Sequence, residues 1–302
     1  MRSFLKALAL ISGIAVAACA VGQTADNQNG GGARALMTWP DLLGRPRPAP
    51  TATVHYGADP LQVADVWVPA GAGPHPVALM VHGGCWQTGI ADRTIMNWIA
   101  DDLRRRGIAV WNIDYRGVDR PGGGYPGTFQ DVAAAADALR AHAADYHLAI
   151  SRVVAIGHSA GGHLALWLAA RPRLPADSPL RSANPLPIAE VVSLGGLPDL
   201  EETARSENGC GNAVIAQLTG GHFADTSVPR LAPLGLPQVL INGRQDQVIP
   251  IPYAEGYARP MRAAGDNVRV RMLDHTGHVE LVAPETIAWA TAVEELQRAF
   301  HR

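Results

Sequence analysis

Ser159 lies at the centre of Gly157-His158-Ser159-Ala160-Gly161, between the apolar run Val153 to Ile156 and the helix-forming stretch His163 to Ala170. That order predicts a strand, a sharp turn and a helix, with the serine held strained at the tip and small residues two positions to either side. The chemistry implied is nucleophilic attack on a carbonyl. Ala160 opens the helix, so its N–H and the positive helix end would both face an oxyanion forming there. A serine hydroxyl needs a base to take its proton and an acid to orient the base. Asp246 follows the apolar strand Gln238 to Ile241 and is assigned as the acid; Asp199, after the apolar run Glu190 to Leu194, competes for that role. His278 follows the alternating strand Val268 to Met272 on a loop containing Gly277 and is assigned as the base. His275 is the alternative base, or a loop histidine that shapes the approach. Only a neutral histidine can accept the serine proton, so activity should rise with pH.

A further group of residues, His82-Gly83-Gly84-Cys85-Trp86, follows the apolar run Val77 to Val81. Its glycines allow backbone N–H groups to turn inward, so Gly84 and Cys85 are expected to join Ala160 as oxyanion donors, with Gly83 supplying the turn and His82 bracing it. One such donor is typically worth about 3 to 4 kcal/mol of transition-state stabilisation. His158 is placed at the substrate pocket. Trp86 either walls the acyl pocket or packs into the core. Asp114 and Arg116, after the strand Ile108 to Ile113, are expected to brace each other.

With these motifs, His82 to Trp86 and Gly157-His158-Ser159-Ala160-Gly161-Gly162-His163, the chain resembles the α/β-hydrolase fold over roughly Tyr56 to Phe300. Within that fold it looks like the esterase and kynurenine-formamidase-like branch, which includes carboxylesterases and feruloyl-esterase-like proteins. The resemblance implies hydrolysis of carboxylic esters, or of a small activated amide, through an acyl-serine and without a cofactor. The order serine, acid, histidine agrees with it. Cys85 departs from it, standing where lipase-like relatives carry a third glycine. An amidase or peptidase with the same three residues and a non-catalytic binding module on the same fold are the alternatives.

Those residues need a frame. Edge strands are expected near Thr53 to Tyr56 and Val63 to Val68, and helices over Ala91–Arg106, Phe129–Ala144, Ser159–Ala170, Tyr253–Ala264 and Pro284–Phe300. Strands alternating with helices predict an α/β fold with a mostly parallel central sheet flanked by helices, whose reactive groups collect at the carboxyl ends of strands. The irregular stretch from Leu200 to Pro237 reads as a small lid insertion.

At the N-terminus, Arg2 and Lys6 precede an uncharged stretch from Ala7 to Ala18, the length of a signal-peptide core rather than a membrane span. Val16-Ala17-Ala18-Cys19 resembles a bacterial lipobox, with Cys19 as the lipidated residue; cleavage after Ala20 is the other reading. The chain is therefore read as a signal peptide over residues 1–19, a flexible linker over 20–50 and a catalytic domain over 51–302, exported to the periplasm or anchored there as a lipoprotein. Export conflicts with a kynurenine-formamidase role. It also favours pairing of Cys85 with Cys210, a link worth roughly 4 to 5 kcal/mol in the chain-entropy model, against a reading with two buried thiols.

The formal charge is −2 without a basic cluster, which leaves no electrostatic reason to expect nucleic acid. The single lysine, Lys6, falls in the signal segment, so a Schiff base, a phosphate-binding loop and a Ser-Lys pair drop out. No cofactor and no metal are expected, since the histidines are scattered. The expected partner is a small ester, with membrane contact only through the lipid anchor.

Overall fold

The computed structural model describes residues 35–206 and 210–302. The signal segment, Cys19 and the linker up to residue 34 lie outside the described residues. One eight-stranded sheet runs through the molecule in the order β1-β2-β4-β3-β5-β6-β7-β8. Its strands are β1 (Ala52–His55), β2 (Val63–Trp67), β3 (His75–Val81), β4 (Ala109–Ile113), β5 (Leu148–His158), β6 (Ile188–Leu194), β7 (Gln238–Gly243) and β8 (Val268–Leu273). The β1–β2 and β2–β4 pairs are antiparallel and every other pair is parallel. The strands carry long apolar runs because both faces are covered. In β3, Val77, Leu79 and Val81 face one apolar core while Ala78 and Met80 face the other.

The helices are α1 (Trp39–Leu43), α2 (Asn97–Arg105), α3 (Gly127–His142), α4 (Ala160–Ala170), α5 (Leu200–Arg205), α6 (Asn212–Thr219), α7 (Phe223–Thr226), α8 (Pro252–Ala263) and α9 (Ile287–Phe300). Helices α2 and α9 pack on one face of the sheet; α3, α4 and α8 pack on the other. Every residue of α4 is buried, which suits a helix apolar all round. The expected helix from Ala91 begins instead as a 3-10 turn over Arg93–Met96, whose start is fixed by Asp92 accepting the Thr94 N–H at 2.8 Å.

Residues 35–50 correct the expected linker. Arg34–Arg302 form one compact unit. The Asp41 carboxylate receives the Thr38 N–H at 2.8 Å and the Thr38 hydroxyl at 2.7 Å, closing the first turn of α1, and Leu42 is fully buried. Beyond α1 the prolines hold the chain extended and offer no N–H, leaving carbonyls to be satisfied from elsewhere. The Trp98 indole donates to Pro46 O at 3.1 Å and the Asn97 amide to Pro48 O at 3.0 Å, while the Arg47 guanidinium lies 5.5 Å from the Trp98 ring centroid. The folded domain therefore begins ahead of residue 51.

The parallel registers bring the functional loops to one edge. Val81 pairs with Gly157, Gly157 with Ser193, Leu194 with Ile241 and Gly243 with Leu273. The turns leaving β3, β5, β7 and β8 therefore open along one edge of the sheet, with β6 between β5 and β7, as strands that end level require.

Candidate active site

Ser159 joins β5 to α4 at φ 54° and ψ −123°, a conformation that costs a non-glycine residue about 1–3 kcal/mol. Its N–H donates to Leu194 O at 2.8 Å, fastening the turn to β6. Gly161 allows the close approach of the next loop, since a Cβ there would stand 2.2 Å from Val81 O. Gly83 is similar: a Cβ would stand 2.9 Å from both His158 O and the Ser159 Cβ. The loop after β3 is thus packed directly on the serine turn.

Asp246 sits in the turn after β7 and is buried. Its Oδ1 accepts the N–H groups of Val248 and Ile249, each at 2.8 Å, and its Oδ2 accepts His278 Nδ1–H at 2.8 Å. That bond fixes the tautomer, leaving Nε2 of His278 as the bare acceptor. The two loops are stitched together: the Gln245 N–H donates to Thr276 O at 3.1 Å and the Thr276 N–H to Gln245 Oε1 at 3.2 Å. The buried Glu280 carboxylate holds the base-bearing loop through the Gly277 N–H at 3.0 Å, and also accepts the Met37 N–H ahead of α1. Neither alternative residue reaches this place. His275 is exposed at φ 51° and borders a separate cavity with Met37 and Ile287. Asp199 caps α5, accepting the N–H groups of Glu201 and Glu202 at 3.0 and 3.1 Å.

Ser159 and His278 line one cavity of about 310 Å³, together with Trp39, Leu43, Gly84, Cys85, Ile90, Ala91, Ile95, His158 and Val248. No Asp, Glu, Lys or Arg side chain lines it, so it suits a neutral, largely apolar ligand. Gly84, Cys85 and Trp86 follow one another at φ 99°, 51° and 53°, and this curl turns Trp86 under the loop. The expectation that Trp86 walls the acyl pocket is corrected on that account. Trp86 is fully buried, its indole donates to His163 Nδ1 at 3.3 Å, and it is absent from the cavity lining. The tryptophan at the cavity is Trp39, from the segment read as linker. No described residue of the expected lid lines the cavity either. Helix α7 packs on α4 instead, with the Trp167 indole donating to Asp225 O at 2.8 Å, and α6 meets the turn ahead of α3, where the Tyr125 N–H donates to Gln217 O at 3.3 Å. Cys210, between α5 and α6, is joined to Cys85 by a disulfide across 125 residues.

Of the four positions expected at the oxyanion, Gly84 and Cys85 border the cavity, Ala160 is the first residue of α4, and Gly83 lies against the serine turn. First-turn N–H groups of a helix have no acceptor within the helix, so the Ala160 N–H is of the right kind for an oxyanion. His82 braces this loop as expected of it: its Nδ1 is 2.7 Å from Gly83 O, its Nε2 is 2.9 Å from Asp114 Oδ1, and its ring stacks on Tyr115 at 4.4 Å. Burial pushes the Asp114 carboxyl up, yet hydrogen bonds from His82 and Arg93 prevail and hold it below its usual range. The expected Asp114–Arg116 pair does not form. Arg116 pairs with Asp131 at 2.7 Å, and Arg93 takes its place beside Asp114 at 3.0 Å. Burial drives His158 well below the usual histidine range, with the neighbouring His278 adding to the shift. His158 therefore stays neutral and donates from Nε2 to His278 O at 3.1 Å, with the two rings 4.3 Å apart. Among the described residues, no group of three or more His, Cys, Asp or Glu side chains could hold a metal ion.

Comparison with known proteins bears on the fold and the family. Esterase LipC of Mycobacterium tuberculosis is 30% identical over 227 residues, covering 70% of this chain and 54% of its own. This chain thus spans about half the length of that relative. Among solved structures, esterase B from Lactobacillus Rhamnosis (HN001) superposes with a TM-score of 0.71 at 21% identity, covering 85% of this chain and 88% of its own. Esterase Est2 of Thermogutta terrifontis gives a TM-score of 0.67 at 20% identity, covering 84% and 94%. These likenesses carry the α/β-hydrolase fold. The BD-FAE family model matches residues 64–256, a stretch running from β2 to α8 through the Ser159 and Asp246 turns, and the chain belongs to that family.

Proposed function

We propose that the protein is an exported serine hydrolase of carboxylic esters. The observation that carries this reading is Ser159, strained on the β5–α4 turn, sharing an uncharged cavity with His278 while Asp246 holds the far side of that imidazole at 2.8 Å. Ser159 Oγ attacks the ester carbonyl as His278 Nε2 takes its proton, and Asp246 stabilises the imidazolium that forms. The oxyanion accepts N–H groups from Gly84, Cys85 and Ala160. Collapse of the tetrahedral intermediate expels the alcohol, protonated by His278, and leaves an acyl-serine. Water, deprotonated by His278, then releases the acid and restores Ser159. The esterase relatives support this reaction class, and the apolar, uncharged lining supports a neutral ester over a charged peptide. Export rests on Arg2 and Lys6 ahead of the apolar stretch to Ala18, and a lipid anchor on Cys19.

One experiment tests both parts: hydrolysis of p-nitrophenyl acetate and butyrate by fractionated bacteria expressing the full chain, Ser159→Ala or Cys19→Ala. The full chain should place activity in the membrane fraction, Ser159→Ala should abolish it, and Cys19→Ala should move it to the soluble periplasmic fraction. Activity that survives Ser159→Ala would reject the acyl-serine route, and activity retained in the cytoplasm would reject export.

A further inference from the structure

The cavity has two walls of different origin. One follows the loop after β3 and continues through Ile90, Ala91 and Ile95; the other is made of Trp39 and Leu43 on α1 and Val248 beside Asp246. Trp39 and Leu43 are four residues apart, hence on one face of α1. The Trp39 ring stands edge-on to both imidazoles, 6.5 Å from His278 and 6.0 Å from His158 between centroids. Leu43, Ile90 and Val248 are three of the five large apolar side chains exposed among the described residues, so most of that exposed apolar surface is gathered at this one cavity.

On the ester-hydrolase reading, the chemistry tells the walls apart. The oxyanion is held on the side of Gly84, Cys85 and Ala160, whereas the alcohol oxygen must lie within reach of His278 Nε2 to be protonated as it leaves. The alcohol therefore departs along the wall that packs against His278. We infer that Trp39, with Leu43 and Val248, is the specificity-determining surface for the leaving alcohol, and that it selects alcohols with an apolar or aromatic body. The acyl chain is left to the Ile90–Ile95 side. A pocket that buries apolar substrate surface discriminates by about ten- to a hundredfold per well-placed group.

The test compares the full chain with Trp39→Ala and Trp39→Phe on two series. One holds the acyl group at acetate and varies the alcohol through ethyl, butyl, hexyl and 1-naphthyl; the other holds p-nitrophenol and varies the acyl group from acetate to octanoate. Because kcat/KM reports the steps through acylation, it senses the alcohol, whereas hydrolysis of the acetyl-serine is common to the first series. Trp39→Ala should lower kcat/KM for hexyl and 1-naphthyl acetate at least about tenfold relative to ethyl acetate. Its p-nitrophenyl series should shift by one common factor, and Trp39→Phe should restore most of the alcohol preference. A changed acyl-chain preference with an unchanged alcohol preference would overturn the assignment. So would an equal loss on every ester, which is what disturbance of His278 alone would produce. Absence of hydrolysis of any ester by the full chain would remove the ester-hydrolase reading itself, and this assignment with it.

Discussion

Asp246 shows how much a single side chain is asked to do. One oxygen accepts two backbone N–H groups and so sets the shape of its own turn, while the other fixes the His278 tautomer. Asp246→Asn keeps the size and the turn but presents an amide that can donate to Nδ1, leaving the proton on Nε2, where it blocks acceptance from Ser159. The expected result is a kcat for p-nitrophenyl acetate lower by about 10³- to 10⁴-fold with an unchanged circular dichroism spectrum. A loss under about tenfold would mean that His278 is not the base this carboxylate orients. At this scale the sequence was readable where spacing and order carried the information. Ser159 and Asp246 follow apolar strands and His278 follows an alternating one, and the structure brings the three turns to the same edge of the sheet. Partnerships were not readable. Asp114 meets Arg93 and His82 rather than the nearby Arg116, because strand ends meet across the sheet and not along the chain.

Among the elements, the strands were the most legible, since buried parallel strands declare themselves as apolar runs; α1 was the least. Its Thr38-Trp39-Pro40-Asp41 signature is a helix start, but five residues among glycines, alanines and prolines carry no periodicity to set against a flexible reading. The element is held by tertiary contacts. Besides the Trp39–His278 ring contact, Glu280 ties the residues just ahead of α1 to the base-bearing loop, taking N–H groups from both Met37 and Gly277. Glu280→Ala would strand both donors in a place where the side chain is only 7% exposed, at about 1–3 kcal/mol for each. Urea unfolding should show that loss as a lower midpoint, with Glu280→Gln between it and the wild type. An unmoved midpoint would show that α1 keeps its seat without this carboxylate. Trp39 stands at the cavity in the place expected of Trp86 for the same reason: the curl at Gly84 to Trp86 and the docking of α1 are both invisible in composition.

For the molecule as a whole, stability should depend on pH through two buried histidines. Burial pushes His163 down to about 4 and drives His158 in the same direction. An unfolded chain takes up a proton at such a residue as pH falls below about 6.5, whereas the folded protein does not take one at His163 until near 4. Within that window the unfolded state binds more protons, so stability is fully present above pH 6.5 and falls as the solution is acidified. Unfolding midpoints measured from pH 7 to 4.5 should decline, and His163→Gln, which can still accept from Trp86 and donate to Thr226 O, should flatten the decline. An identical slope in that variant would rule out His163 as a source. The Cys85–Cys210 link has a topological meaning as well. It closes a covalent ring that contains Ser159 but neither Asp246 nor His278, so the nucleophile belongs to a loop of chain and the groups that activate it to a tail. A single backbone cut anywhere inside that ring therefore leaves one molecule, with its serine, acid and histidine still covalently connected through sulfur.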